Sequence, residues 1–150
     1  MDNVEMTSLH SDAVAGAFSK VTKREAEGDK SVTLDKHEKS VLHSLIPTQN
    51  IVRKGGARID KKPSHHKFMV WNSLSRRFEE GENALTLPKE GKNETRLYFK
   101  KDALANFYPS EGQEFFILAV QGDSRPYIGA MDSTTFNGTI STKPAHRSFT

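Results

Sequence analysis

Residues 114–120, Glu-Phe-Phe-Ile-Leu-Ala-Val, are one carboxylate followed by six apolar residues without a break. The run is far shorter than the roughly 20 apolar residues a membrane helix needs, and its lack of alternation reads as a buried β-strand. Just upstream the pattern changes twice. Residues 95–99 alternate like a strand, 102–108 can form a short helix with Leu104 and Phe107 on one side, and Pro109 stops it. Downstream, Gln-Gly-Asp-Ser-Arg-Pro reads as a turn into a second strand, Tyr127–Met131. The remainder of the chain leads into this strand–helix–strand unit or follows from it.

Towards the N-terminus the patterning is helical. Ser11 or Asp12 can cap a helix reaching about Glu27, with Val14, Phe18 and Val21 on one face and Gly28 at its end. Asp35 with Glu38 three positions on is a capping-box start for a second helix. Leu34, Val41, Leu42 and Leu45 supply its apolar face and Pro47 closes it. Residues 49–67 are polar and basic, with turn signals at Gly55, Gly56 and Pro63. Residues 68–71 make a plausible strand ending in the only tryptophan, followed by Asn-Ser-Leu-Ser-Arg-Arg-Phe. Residues 79–94 read as a polar loop, and one more short strand is expected around 136–140. The expected fold class is therefore α+β: a small antiparallel curved sheet with one short packed helix, preceded by two N-terminal helices. The division that follows is 1–48 helical, 49–67 basic linker, 68–140 β-rich and 141–150 flexible tail.

Charge narrows the function. Residues 52–102 hold 13 Lys/Arg against 7 Asp/Glu, while the stretches on either side are slightly acidic, so the whole positive excess lies in the middle third. Such a stripe favours a phosphate backbone through counterion release. The chain has no cysteine, which excludes disulfides and thiolate metal sites. The acidic N-terminus lacks the layout of a signal peptide, so the expected compartment is the cytoplasm, with no membrane partner. Gly-rich phosphate loops and nucleophile elbows do not occur, and nothing points to a cofactor. The pair His65–His66 has no ligand partner at metal spacing, and adjacent residues of an extended chain face opposite ways.

Two resemblances bear on nucleic acids. Glu114-Phe115-Phe116 and, ten residues on, Tyr127-Ile128-Gly129 resemble the strand pair of GIY-YIG nucleases in spacing. Phe116 stands where that family has its first tyrosine, and no glutamate follows Glu114 to hold a metal, so the catalytic set is missing. Arg-Leu-Tyr-Phe-Lys-Lys-Asp-Ala-Leu-Ala-Asn-Phe-Tyr-Pro, residues 96–109, resembles the strand–helix element of plant B-three DNA-binding domains. It is similar also to the EcoRII-like effector domains of restriction endonucleases, which share that pseudobarrel fold. The likeness spans about residues 88–131 and implies a partial pseudobarrel that binds double-stranded DNA without catalysis in this chain. If the chain is part of an enzyme, the resemblance implies a type II restriction endonuclease. In those families the loop before the strand is an arm that enters the major groove. Carried over, the arm is residues 87–96, with Lys89, Lys92, Asn93 and Arg96 as DNA contacts. Trp-Asn-Ser at 71–73 resembles part of the second arm and makes Arg76 and Arg77 weaker candidates. Two other functions stay open. One is a small accessory protein, phage-encoded in one version, that docks a protein partner or a second copy through the N-terminal helices. The other is a nuclease with a degenerate site.

Overall fold

A computed structural model describes residues 12–47, 51, 64–72, 74–86, 95–98, 109–139 and 148–149. Eight strands form one mixed sheet: β1 (Ala13–Lys20), β2 (Ser31–Thr33), β3 (Ser64–Asn72), β4 (Arg77–Thr86), β5 (Arg96–Tyr98), β6 (Glu114–Val120), β7 (Tyr127–Met131) and β8 (Ser148–Phe149). Their spatial order is β2-β5-β4-β3-β7-β6-β1-β8. All pairs are antiparallel except β3 with β7, where Met69 lies opposite Tyr127 and Val70 opposite Ile128.

The expected fold class is corrected on two counts. The chain is mostly β, with a mixed sheet rather than a small antiparallel one, and the pair of N-terminal helices does not form. Residues 13–20 are strand β1, paired with β6 from Ala13 opposite Val120 to Lys20 opposite Glu114, with a bulge at Val14. Val14, Phe18 and Val21 look like a helical stripe, yet Val14 is exposed while Ala17, Ser19 and Val21 are buried. β6, apolar from Phe115 to Val120, leaves two edges and two faces to cover, and hydrogen bonding to that strand overrides the helical preference of an alanine-rich segment. Of the two helices expected to dock a protein partner, only the second forms among the described residues.

The second expected helix is present as α1 (Lys36–Leu45). Its start is a complete capping box: Glu38 N–H donates to Asp35 Oδ1 at 2.8 Å and Asp35 N–H donates to Glu38 Oε1 at 2.9 Å. Glu38 is wholly buried, and Ser19 Oγ donates to its second oxygen at 2.5 Å. The cap therefore also joins helix to sheet. Before it, a single π-helical turn (Arg24–Asp29) is tied back to β2 by Thr33 N–H donating to Glu25 Oε2 at 2.8 Å.

Two apolar layers follow from the pleat. On the α1 side, Val32, Leu34, Val41, Leu42, Phe68, Val70, Leu97, Phe115, Ile117 and Ile128 form the larger core. On the other, Phe116, Leu118, Val120, Tyr127, Met131 and Phe136 form a smaller one, with Phe18, Met69, Trp71 and Phe78 at its margin. Phe136 comes from α2 (Ser133–Thr139), a helix where a strand is expected. Its one large apolar residue stacks near Phe18 and Phe116, with ring centroids at 4.7 and 6.2 Å. β6 and β7 have the bounds read from the sequence. β4 takes in the first half of the segment read as a loop, because β3 offers it nine consecutive partners, from Ser64–Leu85 to Asn72–Arg77. The expected helix at 102–108 lies outside the described residues.

Candidate nucleic-acid interface

Strand directions decide which basic residues can act together. β3 begins where β4 ends and β5 begins, so Ser64, Thr86 and Arg96 share one rim of the sheet. Asn72, Arg77, Glu114 and Met131 share the opposite rim. Arg96 is therefore separated from Arg76 and Arg77 by nearly the length of β4, about 30 Å at roughly 3.3 Å per residue. The six expected contacts are not one cluster. Lys89, Lys92 and Asn93 lie outside the described residues, between Thr86 and Arg96 in the chain.

The root of Arg96 is firmly held. Arg96 lies between Thr33 of β2 and Thr86 of β4, and is half-buried. The preceding residue, Thr95, is buried; its carbonyl accepts from Leu34 N–H at 2.9 Å and its hydroxyl meets His43 Nε2 at 3.2 Å. His43 Nδ1 lies 3.1 Å from the Ile46 carbonyl, which can only accept, so Nδ1 carries the proton. The C-terminus of α1 thereby fixes where β5 starts.

The opposite rim carries the β3–β4 turn. Asn72 Oδ1 accepts from Leu74 N–H at 2.9 Å and from Ser75 N–H at 3.1 Å, and the Asn72 carbonyl accepts from Arg76 N–H at 2.8 Å. Asn72 Nδ2 donates to Glu79 Oε1 at 3.1 Å, which locks the amide's orientation. The turn holds Leu74 at 96% exposure and sets Arg76 in the left-handed region, at φ 56°. Arg76 and Arg77 are both exposed, and neither forms an ion pair with a described residue. The β4 carboxylates have other partners. Asn72 and Ser75 take Glu79, Arg125 takes Glu80 at 2.9 Å, and His65 stands 3.9 Å from Glu82.

Beneath the turn lies an aromatic ladder. Trp71 and Phe78 meet edge to face at 5.1 Å, and Phe78 meets Tyr127 at 5.0 Å and Phe116 at 6.2 Å. Gly129 makes room for it. A Cβ there would stand 2.5 Å from Trp71 Cβ and 2.6 Å from Phe116 Cζ.

The β6–β7 turn holds the densest group of charges, and it is a structural knot. Arg125 grips Asp123 with two parallel bonds, Nε to Oδ1 at 3.0 Å and Nη2 to Oδ2 at 2.9 Å. Tyr127 Oη donates to Asp123 Oδ2 at 2.6 Å. The Arg125 bond holds the Asp123 carboxyl well below the usual carboxylate range, with Tyr127 adding to it, and Arg125 is raised in return. Burial and the Asp123 bond push the Tyr127 phenol up to about 12. The tyrosine that matched the GIY-YIG pattern is thus bound to a turn carboxylate, and Phe116 faces Gly129 in the β6–β7 register. His66 is lowered chiefly by burial, with His65 adding to the effect and Glu82 opposing it. Among the described residues no three His, Asp or Glu side chains converge as a metal site requires.

No family model, curated protein or solved structure matches the chain. Among the described residues no helix is long and apolar enough to cross a membrane.

Leu74 is not singled out by the sequence pattern: Asn72-Ser-Leu-Ser-Arg between two aromatic strand ends is a hairpin signal, hidden because residues 79–94 look like a polar loop.

Proposed function

We propose that the chain binds double-stranded DNA, as a non-catalytic module of the restriction-effector kind. The observation that carries the reading is where the charge falls in the fold. Of the 13 Lys/Arg between residues 52 and 102, five precede β3 and two follow β5, while residues 64–98, which span β3, β4 and β5, hold six against five Asp/Glu, so most of the excess enters on the chain leading into β3. The basic chain before Ser64 and the Lys89–Lys92–Asn93 stretch both join the sheet at the rim where Arg96 stands. Lysine and arginine there can neutralise phosphates, and arginine and asparagine can pair with guanine and adenine edges.

A mobility-shift titration of the full chain against duplex DNA tests this. Affinity is expected to fall steeply with salt, and a Lys89→Ala, Lys92→Ala, Arg96→Ala triple variant to lower the log K–log salt slope by about 2–3. Unchanged affinity in the triple variant would show that this rim is not the contact. Absence of duplex binding by the wild type at low salt would end the reading.

A further inference from the structure

We propose that the β3–β4 turn is a wedge that enters duplex DNA from the minor groove, with Leu74 as its apolar tip and Arg76 and Arg77 as its cationic flanks. The inference rests on the duplex-binding reading and adds a second contact, at the far end of β4 from Arg96.

Three features meet at this turn. Leu74 is almost fully exposed, yet its backbone is pinned by the Asn72 side chain. A leucine so exposed contributes nothing to the folded core, and because its backbone is already pinned, driving it into a partner costs side-chain but little backbone ordering. Arg76 occupies a left-handed conformation in which a glycine would sit unstrained. Here the Asn72 bonds across the turn hold the strained conformation in place, and residues held in this way cluster at binding and functional sites. The third feature is charge: the β4 carboxylates have other partners, leaving both arginines to act outward.

The chemistry selects the occupant. Two arginines call for a polyanion, and the leucine just before them calls for an apolar interior within one side chain's reach. Minor-groove proteins combine arginine with an inserted Leu, Ile, Phe or Met that parts a base step. The minor groove is about 6 Å wide, too narrow for a two-stranded ribbon, so only the tip can enter. An anionic bilayer also attracts arginine, but binding there scales with buried apolar area and one leucine supplies little. Distance fits as well. The tip and Arg96 are separated by about 30 Å, close to the roughly 34 Å of one B-DNA turn.

The test uses the full chain and a duplex of about three turns with a central TA step, the most easily parted kind. Fluorophores at the two ends report bending, and 2-aminopurine beside the step reports unstacking. Wild type is expected to raise both signals. Leu74→Ser, at an exposed position whose fold is checked by circular dichroism, is expected to abolish both while weakening affinity by no more than about tenfold. Arg76→Gly is expected to raise the thermal midpoint, by relieving strain, and to lower the salt slope by about 1. A rise in stability together with a loss of binding is what a merely structural residue would not give. If Leu74→Ser keeps both signals, or wild type binds without unstacking, the wedge is refuted and the duplex reading stands. If wild type binds mixed phosphatidylcholine–phosphatidylserine vesicles and no duplex, both are refuted.

Discussion

Replacing Gly129 by Ala adds one methyl group at the most crowded point of the sheet. Its carbon would lie 2.5 Å from Trp71 Cβ and 2.6 Å from Phe116 Cζ, against an ordinary contact of 3.4 Å or more. Neither neighbour can step aside cheaply. Trp71 Cβ is fixed by the β3 backbone, and the Phe116 ring is buried against Phe78 and Phe136. At an open site glycine to alanine gains about 0.4–1 kcal/mol through the unfolded chain. Overpacking of a tight core costs about 1–3 kcal/mol, and contacts of 2.5 and 2.6 Å put this site at the upper end, so after the gain is subtracted the net expectation is about 2 kcal/mol of destabilisation. For a chain of this size that is a fall in Tm of about 4–8 °C, and in urea a midpoint lowered by about 1 M. The assay is urea unfolding followed by tryptophan fluorescence, since Trp71 is the only tryptophan and touches the added carbon. A neutral or stabilising Gly129→Ala would mean that β3, β6 and β7 do not converge there, and the parallel β3–β7 pairing would fall with it.

Two further outcomes follow from the polar contacts. Asp123 has a depressed pKa in the folded state, so its contribution is present above the unfolded carboxylate value near 4 and is lost as pH falls towards the folded one; Asp123→Asn should lower stability at neutral pH and flatten the acid limb of a denaturation profile. Tyr127 has the opposite sign: its contribution is complete below about 10 and disappears as pH rises through about 12, so phenolate absorbance should show it ionising above the usual tyrosine range, and Asp123→Asn should bring it down. At the helix–sheet joint, Asp35→Ala should cost about 1 kcal/mol and Ser19→Ala about 1–3 kcal/mol, by leaving a buried Glu38 oxygen without its donor; equal stability of Ser19→Ala and wild type in urea would deny that contact.

What the sequence determined by itself is the part of the fold whose signals are complete within a few residues. β6 is legible because a strand buried on both faces is apolar throughout, and β7 because a Gly-Asp-Ser-Arg-Pro turn marks its start. α1 is legible because its capping box closes within four residues and Pro47 ends it. The location of the positive charge is likewise a property of the chain alone. Only the tertiary structure decided β1, β4 and α2. An alanine-rich segment, a Glu-rich segment and a Ser/Thr segment each carry few large apolar residues, and each takes its form from what it packs against: β6 for β1, β3 for β4, and Phe18 and Phe116 for Phe136. The same holds for the candidate interface. Residue types told which side chains can meet a phosphate, but strand direction put Arg96 on one rim and Arg76 and Arg77 on the other. The Asn72 bonds, invisible in a one-dimensional pattern, are what turn Leu74 from a stray apolar residue into a fixed tip.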